Sequence, residues 1–304
     1  MTDVPMSEAA TPGAGASEVA IVRPSSNGAR APKPSMVILP GSLPVGQYIR
    51  DLWHHQDMLK VLSRRQILLR YRQTALGAVW VVLQPLLGAG VLSFVFGNIA
   101  KLPTDGVPTF IFTYTGMLAW SAFSGSLARA QGSMVSNAAL VAKIFFPRVI
   151  LPLSNALGTV IDFGVTLGVL LVLLFTAGLP PSWPILLVPV WLVLVVGLGT
   201  GLGSMLAALS VRYRDWGYIT PLLIQLGLYA SPVAYSVSAV PAKYQSIYYL
   251  NPLAAILEAF RWSLNGTPFP ATGHLVYAIV VCVVVSLGGL LVLERMEARF
   301  ADVI

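Results

Sequence analysis

Residues 185–237, ILLVPVWLVLVVGLGTGLGSMLAALSVRYRDWGYITPLLIQLGLYASPVAYSV, decide the fold. Ile185 to Leu209 and Ile219 to Val237 contain no charged residue. Each approaches the ~20 apolar residues that carry a helix across a bilayer. Between them, Arg212, Arg214 and Asp215 crowd into RYRD. Lipid offers no partner to backbone N–H and C=O groups, so such spans must be helices. The stretch therefore reads as two spans joined by a short charged turn.

The rest of the chain repeats this pattern. Of 304 residues, 56% are hydrophobic and 10% charged, with a mean hydropathy of +0.76. Further apolar blocks run over Leu76–Ile99, Phe110–Leu127, Val149–Thr176 and Leu275–Leu293. The expected fold is an all-α polytopic membrane protein with six transmembrane helices.

Six spans place both termini on one side. Of the 19 Lys and Arg residues, only Lys101, Lys243 and Arg261 fall on the other side. Cytoplasmic loops carry the excess of Lys and Arg, so both termini are expected in the cytoplasm of a multi-pass inner-membrane protein. This sorting also accounts for the net charge of +7. The basic residues read as topology signals and lipid contacts rather than as a nucleic-acid surface.

The remaining segments divide the chain. Residues 1–45 are rich in Ala, Pro, Ser and Gly and lack a signal-peptide core, which reads as a disordered cytoplasmic tail. Residues 46–75 mix Leu52, Met58, Leu59, Leu62 and Ile67 with a basic face, as an amphipathic interface helix along the inner leaflet would. Residues 76–304 form the six-span domain. Within its last external connection, NPLAAILEAFRWSLNG (251–266) has helical spacing, an Asn-Pro start and a Gly stop. It is too short and polar to span. A helix lying at or dipping into the outer surface is expected.

Most enzyme chemistry is missing. There is no GxxxxGK[ST] phosphate loop, so the chain is not expected to hydrolyse ATP alone. One Cys and three His residues offer no metal spacing. Asp105 and Glu258 are the only external acids, which disfavours a membrane glycosyltransferase. Asp162 is the only acid within the expected spans, and no Lys, Arg or His accompanies it there. That argues against a proton relay and for a helix–helix hydrogen bond with Asn155 or a Ser or Thr. Gly197, Gly199, Gly201 and Gly203 either permit close helix approach or provide flexible points. The chain reads as a pathway without a motor.

The cytoplasmic loops are where a motor would attach. In NAALVAKIFFPR (137–148), Ser136-Asn137 caps a short helix over Ala138–Phe146 that stops before Pro147. In RYRD, Asp215 stands where it would cap the next helix.

Six matches in one order, from about residue 64 to 262, carry a resemblance. They are RYRQTALGAVWVVLQPL (70–86), NAALVAKIFFPRVILPLS (137–154), VRYRDW (211–216), YASPVAYS (229–236), VP (240–241) and LNPLAAILEAFRW (250–262). The chain resembles the permease subunit of ABC-2 type exporters, in the branch that moves O-antigen, teichoic acid, galactan and similar polysaccharides. The resemblance implies two permease copies joined to two separate nucleotide-binding subunits that hold ATP and Mg, with no cofactor in this chain. It implies coupling to the ATPase through Asn137, Leu140, Lys143, Phe146, Arg148, Arg212, Arg214 and Asp215. It implies an external gate of short re-entrant helices between spans five and six, carrying Asn251, Pro252, Phe260, Arg261 and Trp262.

The implied cargo is a polymer linked to polyprenyl pyrophosphate; a smaller lipid or drug is the alternative. Arg64, Arg65, Arg70 and Arg72 at the inner surface would pair with the pyrophosphate or with anionic lipid. Trp80, Phe94, Phe112, Tyr114, Trp120, Phe123, Tyr229 and Tyr235 would serve either as channel aromatics for a sliding glycan or as interfacial anchors.

Overall fold

The computed structural model describes residues 56–72, 79–141, 143, 146–213 and 215–300. The expected tail and the start of the amphipathic segment lie outside them. All regular structure among the described residues is helical. The first helices are α1 (Gln56–Arg72), α2 (Val79–Ser93) with a π-helical extension Phe94–Ile99, and α3 (Thr109–Ser136). A single turn, α4 (Ala138–Val141), leads to α5 (Ile150–Thr176). A 3-10 turn, Trp183–Leu187, leads into α6 (Val188–Arg212), then α7 (Trp216–Ala230). The last part contains α8 (Ala242–Tyr248), α9 (Pro252–Asn265) and α10 (Thr272–Phe300).

Among the described residues, four helices are long and apolar enough to cross a membrane: Val79–Ile99, Ile150–Thr176, Trp183–Val211 and Thr272–Met296. The chain is a polytopic helical membrane protein. The other two expected spans are helical but differ from the rest in instructive ways.

α3 continues past the expected end at Leu127 to Ser136, giving about 42 Å at 1.5 Å per residue. Its lower hydropathy follows from its position. Every residue from Ile111 to Trp120 is buried, including Thr113, Tyr114 and Thr115. A helix walled in by its neighbours needs no lipid-compatible surface. α7 ends at Ala230 rather than Val237, and its 15 residues cover only about 22 Å of a ~30 Å hydrocarbon layer. Pro232 disfavours helical geometry at Ser231, which is extended.

α6 is the axis of the packing, and its glycines lie on two seams. Cβ atoms added at Gly199 and Gly203 would strike the α3 backbone at Phe123 O and Leu127 O, both at 2.5 Å. One added at Gly201 would strike Val285 O of α10 at 2.5 Å, and one at Gly197 would meet Ser286 Oγ at 2.8 Å. Gly289 of α10 faces Gly201 backbone in return. Two small-xxx-small faces on one helix thus let α3 and α10 approach at backbone distance. Close approach, rather than flexibility, explains these four glycines.

α9 is the expected short helix, and it is packed on its neighbours along most of its length: Leu253 through Leu257, Phe260, Arg261 and Leu264 are buried. Ala254, Ala255 and Ala259 let it pack against α3, α6 and α10. Its expected boundaries hold: Asn251 Oδ1 accepts from Leu253 N at 3.0 Å, and Gly266 closes it with φ 72°.

Two polar ends result. At one, Leu62 of α1, Met134 of α3, Phe146, Ile150 and Leu151 of the α5 start, Ala207 and Ala208 of α6, and Leu293 of α10 form a small apolar cluster. At the other, residues 101–108 and 231–271 meet, with Ser236 N donating to Pro103 O at 3.3 Å.

Candidate functional site

Several features converge at the α1 end. α1 does not simply lie on a leaflet: Met58, Leu59 and Leu62 pack against the cluster just described. Its other face leaves Arg64 and Arg65 exposed. Arg70 and Arg72 belong to its last turn, with side chains outside the described residues.

Asn137 follows α3 and is buried, its Nδ2 donating to Ser133 O at 2.9 Å. Its carbonyl accepts from Leu140 N and Val141 N, which makes the single turn of α4. The helix expected over Ala138–Phe146 is thus described only as far as Val141. Leu140 leans on the cluster and Phe146 is inside it. Lys143 is exposed and Arg148 half-buried.

Asp215 does not cap α7 with its carboxylate. It already has helical φ and ψ, and its carbonyl accepts from Tyr218 N and Ile219 N. A side-chain cap needs the extended backbone that this residue lacks. Arg212 ends α6, and Arg214 lies outside the described residues. Gln131 Nε2 of α3 donates to Ser210 Oγ at 2.8 Å, tying the base of α6 to the same end.

The interior holds an ion pair. Arg129 Nη2 donates to Asp162 Oδ2 at 2.6 Å, and Arg129 Nη1 to Thr159 Oγ1 at 2.8 Å. Asn155 Nδ2 donates to the Arg129 carbonyl at 3.2 Å. The expectation of a lone intramembrane acid is therefore corrected: Asp162 has a cation for its partner. Arg129 had fallen to the inner loop because the apolar block ends at Leu127. Helix-favouring composition continues through ARAQGSMVS without proline, and that is the signal that places Arg129 on α3. The pair lines a cavity of about 150 Å³ between α2, α3 and α5, with Gln84, Ser121 and Ser124 on its wall.

Of the eight expected channel aromatics, three are exposed, four are buried and Tyr235 is half-buried. Trp80, Phe94 and Tyr229 are 51%, 59% and 55% exposed on the helix surfaces of α2 and α7. Phe112, Tyr114, Trp120 and Phe123 are buried along α3. Tyr114 OH donates to Thr166 O at 3.3 Å, and Trp120 packs against Gly227 of α7. Tyr235 shares a 2.7 Å hydrogen bond with Tyr248 OH.

Arg261, an expected gate residue, is the most deeply buried cation among the described residues. This guanidinium is 2% exposed. Its Nη2 donates to Pro232 O at 2.6 Å and Val233 O at 2.7 Å, and its Nη1 to Tyr235 O at 3.4 Å. It stands 3.7 Å from the centre of the Phe112 ring. Gly116 leaves room for it and for the Val233 carbonyl. Burial lowers the guanidinium to about 9, opposed chiefly by Glu258, so it stays charged at neutral pH.

Asn251 Nδ2 donates to Ser231 Oγ at 2.9 Å, holding the start of α9 and its Pro252 to the same turn. Phe260 is buried against Phe163, and Trp262 makes edge contacts with Trp183 and Phe269. Glu258 accepts from Tyr249 OH at 3.1 and 2.9 Å through its two oxygens. Burial raises its carboxyl above the usual range, with Tyr249 and Arg261 opposing. Among the described residues, no three His, Cys, Asp or Glu converge to hold a metal.

These features define a polytopic helical membrane protein with polar groups in its interior and a packed element at each end. The ABC-2 type transporter family matches residues 58–265, and the chain belongs to that family. It is similar to the O-antigen export system permease protein RfbA of Klebsiella pneumoniae, 29% identical over 258 residues covering 82% of this chain and 95% of the relative. The protein of the same name from Myxococcus xanthus is 27% identical over 256 residues, covering 84% and 98%. The capsule polysaccharide export inner-membrane protein CtrC of Neisseria meningitidis serogroup B is 24% identical over 250 residues, covering 78% and 90%. Family membership makes this chain a permease subunit without an ATPase domain and implies a nucleotide-binding partner.

Proposed function

We propose that the chain is the permease of an ATP-driven exporter that moves a polyprenyl-pyrophosphate-linked surface polysaccharide, of O-antigen or galactan type, to the outer face of the inner membrane. The observation that carries this is similarity to O-antigen export permeases along almost their full length. In this reading α3 and α7 complete a six-span domain over residues 76–304, with both termini cytoplasmic. α3 crosses behind its neighbours, and α7 crosses together with the residues that follow it.

Two copies join two nucleotide-binding subunits. The cluster joining α1, α4 and the base of α6 supports a coupling role for Asn137–Arg148 and for Arg212, Arg214 and Asp215. One rigid apolar seat holds all three elements, so a push on the loops reaches α3, α5 and α6 together. The exposure of Arg64 and Arg65 on α1 supports their pairing with the pyrophosphate or with lipid phosphates. The exposed Trp80, Phe94 and Tyr229 face either lipid or the second copy, where a glycan path between copies would run.

Deletion of the chain in its host tests the substrate class. The expected result is loss of surface polysaccharide with lipid-linked glycan accumulating inside, restored by re-expression. Unchanged surface polysaccharide would favour a smaller lipid or drug as cargo.

A further inference from the structure

A second cavity, of about 310 Å³, opens at the end opposite α1, among the 101–108 connection, α8, α9 and the 267–271 segment. At ~30 Å³ per water it has room for about ten waters, or a small polar ligand. Its wall alternates acceptors and donors. Asp105 accepts from Ser238 Oγ at 3.4 Å, and Ser238 Oγ lies 3.0 Å from Ser236 Oγ. Glu258 and its donor Tyr249 line the other side, with Gln245 beside them.

Two observations make this more than an acidic cluster. Arg261 lines the cavity, and its Nε is buried with no hydrogen-bond partner among the described residues, although both of its terminal nitrogens are bonded. A buried donor left unpaired is costly, and a ligand oxygen in the cavity would relieve it. Phe269 lines the rim with 48% of its surface exposed, its ring fixed by the edge contact with Trp262 at 4.8 Å. A steady aromatic face beside mixed hydrogen-bonding groups suits a ring with C–H faces and hydroxyl edges.

We propose that this cavity is a binding subsite for a neutral or amino-bearing sugar, occupied by the polymer as it leaves the permease. Asp105 balances the single guanidinium of Arg261, and Glu258 adds a second acid beside it. A uronic or sialic acid therefore finds no net positive charge to bind, whereas a hydroxyl or ammonium finds acceptors. The carboxylates accept from sugar hydroxyls, Gln245 and Arg261 Nε donate to them, and the Tyr249 oxygen, its proton given to Glu258, can accept. The inference rests on the reading of the chain as a glycan exporter, and it narrows that glycan to a polymer without acidic sugars at this point.

Labelling of Ala271→Cys, an exposed position on the cavity rim, provides the test. The native thiol Cys282 is buried, so a polar maleimide reports the new one. The permease complex is labelled in the presence of methyl galactoside, methyl mannoside, glucosamine, glucuronate or sialic acid. A bound sugar at ~10 times its Kd slows labelling about tenfold. Protection by a neutral or amino sugar and none by the acids is expected. In Asp105→Asn, and in Glu258→Gln where it folds, the penalty against glucuronate shrinks.

Protection by the acidic sugars, by none of the sugars, or by calcium or magnesium alone overturns the proposal. If surface glycan export depends on the chain and no sugar protects, this subsite fails and the exporter reading survives. If neutral sugars protect and export does not depend on the chain, the exporter reading fails and the subsite stands.

Discussion

Arg261 carries a charge into a site that water barely reaches, and the shape of its guanidinium decides what can replace it. Three carbonyls from the turn at residues 232–235 accept its hydrogens, and Phe112 receives its face. Arg261→Met removes those bonds and is expected to lower stability by about 3 kcal/mol, the upper end for hydrogen bonds to charged groups. Arg261→Lys does not rescue it, because one ammonium cannot reproduce the planar fork. Thermal melting of the solubilised protein reads both.

Glu258 gives a pH signature. Its folded pKa is raised by burial, with Asp105 adding to the rise and Tyr249 and Arg261 opposing it. Its contribution to stability is therefore fully present below the ordinary carboxylate pKa and is lost as pH rises through the folded value. Glu258→Gln removes that dependence. The melting temperature of the variant relative to wild type should rise as pH is raised from the ordinary carboxylate range. A gap that stays flat or narrows would contradict the assignment.

The Arg129–Asp162 pair belongs to the same scale. Asp162→Leu alone should cost about 3 kcal/mol by leaving a cation inside the bundle, and the double Leu variant less than the sum of the singles. None of these four residues had its partner written in the sequence. Asp162 was visible as an acid in an apolar run, but its partner sits 33 positions away, beyond the end of an apolar block. Tertiary contacts decide such pairs, and hydropathy does not carry them.

At the scale of helices, the glycine seams of α6 are the sharpest test. Gly201→Leu and Gly199→Leu drive side chains into the backbone of α10 and α3. Each should cost at least the ~1–3 kcal/mol of core overpacking. Gly168→Ala on α5 meets nothing within 4 Å and should be neutral or slightly stabilising. Folded yield from detergent extraction distinguishes them. If Gly201→Leu folds as wild type does, the seam is wrong.

The four most apolar helices were legible from hydropathy because their surfaces are built for lipid. α3 and α7 were legible only as helices. α3 is too sheltered to need apolar residues throughout, and α7 is broken by the Ser-Pro that follows it. α9 read as amphipathic, which is true of a surface helix and of one packed on several neighbours alike. The α1 seat could be read as a helix with an apolar stripe, but not as one packed on α5.

At the scale of the whole molecule, the proposed account is a permease driven from its α1 end and releasing polymer at the α9 end. Asp215→Ala should reduce substrate-stimulated ATP hydrolysis in the complex while membrane insertion is unchanged. The central claim is tested most directly in sealed vesicles holding the permease with its nucleotide-binding partner. Lipid-linked glycan supplied on the partner's side should reach the opposite face only when ATP is hydrolysed, and only with both subunits present. Glycan crossing without ATP or without the partner, or ATP hydrolysis that never moves glycan, would contradict the account.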